Sequence, residues 1–136
     1  MKGLVLTSHG PMAQGMLETS KLFMGEQEQL VAKCLYADDN PDDFIDVLKQ
    51  AIAEVDTGDG VIVMCDMLFG SPCNCAARIV GEDLNSDKVQ VVTGLNLAMV
   101  LQALATRESG DISVADLVQS GKDGVADLIA VLKANM

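Results

Sequence analysis

Positive charge is scarce in this chain: 9 Lys and Arg stand against 20 Asp and Glu among 136 residues, a formal net charge of −11. Such a surface is a poor match for nucleic acid or for an anionic membrane, and a better one for proteins with basic faces. Long apolar runs are missing as well. None approaches the roughly 20 residues needed to cross a bilayer, and Leu4-Val5-Leu6 is too short for the core of a signal peptide. Membrane insertion and export are therefore not expected, and the chain is assigned to the cytoplasm. There its four cysteines, Cys34, Cys65, Cys73 and Cys75, are read as reduced thiols. The chain also lacks a Walker-type loop with its lysine, a glycine fingerprint after the first strand, and neighbouring carboxylates in the strand-end loops to hold magnesium. The Cys73-x-Cys75 pair lacks the two-plus-two spacing of a zinc site, so these thiols are read as small packing residues. No metal and no cofactor are expected.

What is present is ordinary for a folded protein: 49% hydrophobic and 21% charged residues, well clear of the composition of disordered chains. A chain of this length buries roughly two-thirds of its unfolded surface, so residues 1–136 are expected to form a single domain with one core.

Short apolar runs alternate with helical patterns. Leu4 to Thr7 reads as a strand ending at Ser8-His9-Gly10, followed by a helix with Pro11 in its first turn and an apolar pattern at Met12, Met16, Leu17 and Phe23, closing at Gly25. Leu30 to Tyr36 reads as a second strand. Asp39 or Asn40 then caps a helix that carries Phe44, Leu48, Ala51, Ile52 and Val55 on one face. Gly58-Asp59-Gly60 breaks the chain before Val61-Ile62-Val63-Met64-Cys65, a run of the kind seen in strands covered on both faces, hence the expected sheet centre. After Asp66, Ser71 as cap and Pro72 as first helical residue open a helix running toward Val80. Val89 to Val92 is a fourth strand, Leu97 to Ala105 a fourth helix, and Ile112 to Val118 a short one. The segment Val125 to Leu132 reads as helix by its period or as strand by its valines and isoleucine, with helix favoured for its first part. Four strand-then-helix units predict a doubly wound, mainly parallel four-stranded α/β sheet with helices on both faces.

In such a sheet, ligands bind outside the carboxyl ends of the strands. His9 and Asp66 both fall there, after the first and third strands, and meet if those strands are neighbours. A carboxylate that accepts a hydrogen bond from one imidazole nitrogen fixes the tautomer and leaves the other nitrogen as a nucleophile. At Ser71-Pro72 a helix N-terminus offers free backbone N–H groups to an anion, the serine hydroxyl can donate to a phosphate oxygen, and Gly70 lets the backbone come close. Taken singly, each residue has a plainer reading: a histidine or aspartate in a turn, a Ser-Pro helix start. Together, with the only histidine of the chain at the edge where this architecture places function, they point to phosphoryl transfer through His9.

At these residues the sequence resembles the mannose-family enzyme IIA domains of the bacterial sugar phosphotransferase system. Thr7-Ser8-His9-Gly10 resembles the family's Thr-His-Gly strand end, with serine just before the histidine. Gly25-Glu26-Gln27-Glu28 resembles a segment after its first helix. Asp66 followed by Gly70-Ser71-Pro72 and Asn74, and Gly94-Leu95-Asn96 followed by Met99, resemble two more of its stretches. The similarity runs from Met1 to about Gly124. It implies that His9 accepts phosphate from the phosphocarrier HPr and passes it to a IIB component for sugar uptake. It further implies that Asp66 orients His9, that Ser71 bonds the phosphate, and that the protein forms a homodimer with a C-terminal strand, exchanged between subunits, in the segment after Gly124.

Two departures stand out: Phe69 occupies the position of the first of two glycines, where it is expected to narrow the phosphate loop, and Ala98 replaces a common proline. The phosphotransfer subunit of dihydroxyacetone kinase ranks second, because its pattern has Ser-His-Ser where this chain has Ser8-His9-Gly10 and lacks the Phe69-to-Asn74 type of loop. A non-catalytic IIA-like regulatory module is disfavoured because the chain holds no effector domain. Met12, Met67, Leu68 and Phe69 are the expected apolar docking residues near His9.

Overall fold

The computed structural model, which describes residues 1–136, alternates strand and helix as the patterning predicts. Its elements are β1 (Gly3–His9), α1 (Met12–Met24), β2 (Leu30–Leu35), α2 (Pro41–Val55), β3 (Val61–Cys65), α3 (Ser71–Val80), β4 (Val89–Thr93), α4 (Leu97–Thr106), α5 (Val114–Asp123) and α6 (Leu128–Ala134). All strands are parallel, in the order β2-β1-β3-β4. The order reverses direction between β1 and β3, and a doubly wound sheet opens its ligand crevice at such a point.

Alternation along the strands sorts the core into two layers. Leu4, Leu6, Ile62, Met64 and Val92 face α1, α4 and α5, where Ala13, Met99, Val100, Ala103 and Leu117 meet them. Val5, Val61, Val63 and Cys65 face α2 and α3, against Phe44, Leu48, Ala51, Val55 and Ala76. Each fully buried Leu or Ile contributes roughly 2 kcal/mol through the apolar surface it removes from water. The packing is closest where α2 ends on β1: a Cβ at Gly3 would lie 2.4 Å from the Val55 carbonyl oxygen.

Polar anchoring lies at the amino end of the sheet. Arg107, at the end of α4, is buried. Its guanidinium donates to the Gln29 carbonyl at 2.8 Å, to the Glu28 carbonyl, and to Gln27 Oε1 at 3.2 Å. Burial, opposed by Glu108 and Glu28, lowers its pKa from the usual guanidinium value. The Gly25-to-Glu28 segment singled out in the sequence is thus, with Gln29, a structural connection held by an arginine from the far side of the chain.

Three expectations need correction. The α3 cap is Gly70, not Ser71, and no side chain caps that helix; Ser71 and Pro72 are its first two residues. That start is permitted because the first-turn N–H groups have no intrahelical partner, so proline forfeits nothing there. The short helix expected from Ile112 begins at Val114, where the Ser113 side chain accepts from the Asp116 N–H, and runs on to Asp123. No fifth strand follows Gly124. Leu128–Ala134 is α6, capped by Asp127, and none of its residues is buried. Against no neighbour the segment satisfies its backbone internally, which a helix does and a lone strand does not.

Replacing Arg107 by Met is expected to destabilise the fold by about 3 kcal/mol, because the Glu28 and Gln29 carbonyls lose the charged donors of a buried guanidinium. Urea unfolding followed by circular dichroism measures this; a midpoint equal to that of the unaltered chain would show that the clamp holds nothing.

Candidate functional site

His9 is the last residue of β1, and its side chain is 45% exposed. The turn that carries it is tied from below. The buried Ser8 hydroxyl accepts the Ala13 N–H at 2.8 Å and donates to the Gly10 carbonyl at 3.1 Å, so it caps α1 from inside the strand. Gly10 sits at φ 59, in the left-handed region that glycine enters without strain, and its N–H donates to the Leu35 carbonyl at 2.8 Å.

Pairing of Thr7 with Cys65 sets Asp66, the first residue beyond β3, beside His9. One carboxylate oxygen, Oδ2, accepts both the His9 backbone N–H at 3.0 Å and the Nδ1–H of its ring at 2.8 Å. The other, Oδ1, accepts the Met67 N–H at 2.9 Å. A carboxylate can only accept, so Nδ1 carries the proton and Nε2 keeps its lone pair. Burial alone would raise the Asp66 pKa, but the backbone and ring of His9 and the Met67 N–H outweigh it and hold the carboxyl below its ordinary value.

The loop from Met67 to Gly70 closes the other side. A Cβ on Gly70 would lie 2.7 Å from Cε1 of His9 and 3.4 Å from Nε2, so glycine is required here for space, its φ of −73 being ordinary. The N-terminus of α3 consequently abuts the free ring nitrogen. Ser71 lines an open cleft of about 460 Å³ together with His9, Gly10, Leu35, Tyr36, Ala37, Asp39 and Pro41. The geometry therefore gathers a nucleophilic nitrogen, the carboxylate that orients it and a helix N-terminus suited to an anion.

His9, Asp66, Gly70 and Ser71 come together as the sequence reading requires. Phe69 does not fill the loop: its ring is 77% exposed, and its backbone sits at φ 64, left-handed for a residue with a side chain. Met67 and Leu68 of the same loop, and Met12 at the start of α1, are exposed as well. Cys65 and Cys73 pack in the core beneath the loop, and burial first, then the proximity of Cys73 and Asp66, pushes the Cys65 thiol up to about 12. Two residues escaped the sequence reading. Ser8 was quoted in a motif without a role, because its capping acts across Gly10-Pro11 rather than from the usual position just before the helix. Asn74, present in a stretch that resembles the family but given no role there, donates from Nδ2 to the Phe69 carbonyl at 3.1 Å and pins the loop.

The family model described as "PTS system fructose IIA component" matches residues 3–119. The chain is 32% identical over 130 residues to the mannose-specific EIIAB component of Escherichia coli (strain K12), covering 93% of this chain and 39% of that protein. It thus spans about two-fifths of that relative. To the fructose-specific EIIA component of Bacillus subtilis (strain 168) it is 25% identical over 122 residues, 90% of this chain and 80% of that one. Among solved structures, the PTS IIA protein associated with the fucose utilization operon of Streptococcus pneumoniae superposes with a TM-score of 0.87 at 28% identity, covering 96% of each chain. The mannose/sorbose specific IIA subunit from Enterococcus faecalis gives 0.80 at 31% identity, over 93% of this chain and 95% of that one.

With a single histidine, nitrogen NMR reads the ring without ambiguity. At alkaline pH the Nδ1–H tautomer should dominate, and both Asp66→Asn and Gly70→Ala should shift the ring toward a mixture; a spectrum unaltered in both variants would remove the orienting role of Asp66 and the steric role of Gly70. Because the Asp66 pKa is lowered in the folded state, its contribution to stability is complete above about pH 4 and is lost as the pH falls through the folded value. Unfolding titrations should therefore show the unaltered chain about 1 kcal/mol more stable than Asp66→Asn near neutrality, with the gap closing toward acid; a gap that widened on acidification would contradict the assignment.

Proposed function

Because the chain belongs to the EIIA-man family, the IIA components of the sugar phosphotransferase system, we propose that it is a cytoplasmic phosphocarrier whose His9 accepts a phosphoryl group from phosphorylated HPr and passes it to a IIB component. In this reading residues 1–136 act as one phosphocarrier domain. The observation that carries it is the pair of contacts on the ring: Asp66 holds Nδ1–H at 2.8 Å while the free Nε2 faces Gly70 at the N-terminus of α3.

The step requires little covalent machinery. The Nε2 lone pair attacks the phosphorus of the donor's phosphohistidine, the donor's P–N bond breaks, and its electron pair returns to the donor nitrogen. The proton stays on Nδ1, where Asp66 stabilises the positive charge that develops on the ring. The N–H groups of the first turn of α3 and the Ser71 hydroxyl are suited to the phosphoryl oxygens, so in-line placement and fixed dipoles supply the acceleration. Transfer to the IIB component is the same step in reverse with a new acceptor. No metal is needed to neutralise the phosphoryl charge in this scheme.

Two further elements belong to the proposal. A net charge of −11 favours partners with basic docking faces, an attraction screened over about 8–10 Å at physiological ionic strength. The exposed apolar side chains Val125, Leu128, Ile129, Val131 and Leu132 support a homodimer in which this segment is covered between two copies. No helix of the chain is long and apolar enough to cross a membrane, in keeping with a partner that works beside a permease.

Mixing the purified protein with phosphorylated HPr should add one phosphoryl group, seen by mass spectrometry, in excess chelator as well as in its absence. The His9→Ala variant should fold and remain unmodified. The second-order rate should fall as salt is raised. Modification of His9→Ala at the normal rate would overturn the phosphohistidine assignment, loss on chelation would overturn the metal-free mechanism, and a salt-independent rate would remove charge steering.

A further inference from the structure

Phe69 combines properties that the chemistry at His9 leaves unused. Its backbone lies at φ 64, a region that favours glycine and that a residue with a Cβ occupies under strain. In a folded protein such strain is usually offset by packing, yet this ring is 77% exposed and buries little against its own chain. A glycine would trace the same loop without strain. The ring is thus unnecessary for the shape of the loop and unfavourable for its stability.

The loop nevertheless holds the backbone that carries the ring. The Phe69 carbonyl accepts from Asn74 Nδ2 at 3.1 Å, and the next residue, Gly70, donates its N–H to the Met67 carbonyl at 3.1 Å. Met67 and Leu68 precede it in the same loop, and Met12 opens α1 beside the His9 turn; all three are exposed. Across the ring of His9 the surroundings change. The connection between β2 and α2 presents the exposed carboxylates Asp38 and Asp39, and the first turn of α2 adds Asp43, with Asp39 lining the His9 cleft. His9 therefore stands between an apolar lip on one side and an acidic lip on the other. The surface complementary to this pair of lips is a protein with an apolar collar on one flank of its phosphohistidine and basic side chains on the opposite flank.

Resting on the phosphocarrier reading above, we propose that Phe69 is the docking anchor for the protein that phosphorylates His9, held out in a strained backbone conformation to insert into that partner's apolar collar. An aromatic side chain on a pinned backbone has only two side-chain torsions to order on binding, a low cost for the apolar area it buries. With the residue 77% exposed, its contribution falls on encounter and residence of the donor protein.

Two substitutions separate docking from loop shape: Phe69→Ala removes the ring and keeps the left-handed strain, whereas Phe69→Gly removes both. With phosphorylated HPr as donor, both variants should raise KM about tenfold or more and change kcat less than about twofold. With phosphoramidate, a small donor that has no collar, phosphorylation of His9 should proceed in both variants at nearly the rate of the unaltered chain. In urea, Phe69→Gly should unfold at a higher midpoint than Phe69→Ala. An unchanged KM for phosphorylated HPr in both variants would overturn the proposal. So would equal losses with both donors, since these would make Phe69 a shaping residue of the phosphate loop. Should the unaltered protein accept phosphate from neither donor, the phosphocarrier reading itself fails and this inference falls with it; phosphoramidate transfer to His9 with normal KM values in the variants overturns the anchor alone.

Discussion

One oxygen atom organises the site. Asp66 Oδ2 receives both the backbone N–H and the ring N–H of His9, so the residue is held at its main chain and at its side chain by the same acceptor. That arrangement depends on β1 and β3 being adjacent and in the register that sets Thr7 against Cys65. A slip of one residue would move every side chain of the strand to the opposite face and exchange the two core layers. Burial of the two layers therefore protects the register, and the register positions the chemistry. The lowered Asp66 pKa expresses the same coupling, since the contacts that orient the ring also keep the carboxylate charged.

The two ends of the sheet divide their tasks. At the amino end, Arg107 is buried and engaged with the chain around Gln29, an arrangement that adds stability and offers little to a ligand. At the carboxyl end, loops are short, glycine is used where a side chain would collide with the histidine, and apolar side chains are left in solvent. Strain appears at that end too, in Phe69, where the fold tolerates a local conformation it would not select for stability.

Much of this was legible in the sequence for identifiable reasons. All four strands were found because each is a short apolar run between turn formers, and Val61–Cys65 announced the centre of the sheet by having no polar face at all. His9 and Asp66 were placed correctly as strand-end residues. Their meeting was conditional, because strand order depends on how crossovers pack and leaves no local signal. The cap of α3 was misplaced by one residue since Gly70, lacking a side chain, gives no capping signature, while Ser71 does. Ser8 was missed as a cap because its hydroxyl reaches across a glycine and a proline. The last segment stayed ambiguous for a physical reason: with none of α6 buried, tertiary packing does not choose between helix and strand, and local hydrogen bonding decides.

The position of β1 in the sheet also orders events in time. Leu4 pairs with Leu30 on one side and with Ile62 on the other, so β1 leaves the ribosome with one partner that follows soon and another that follows much later. Until residues 61–65 have been synthesised, one edge of β1 is unpaired and Asp66 does not exist to receive His9. The nascent chain must carry an open, apolar strand edge through that interval, a state prone to pairing with other chains. Closing it requires distant contacts, which places this protein among the slower folders for its size. The histidine is therefore made well before the carboxylate that orients it, and acquires its working geometry only once β3 has docked.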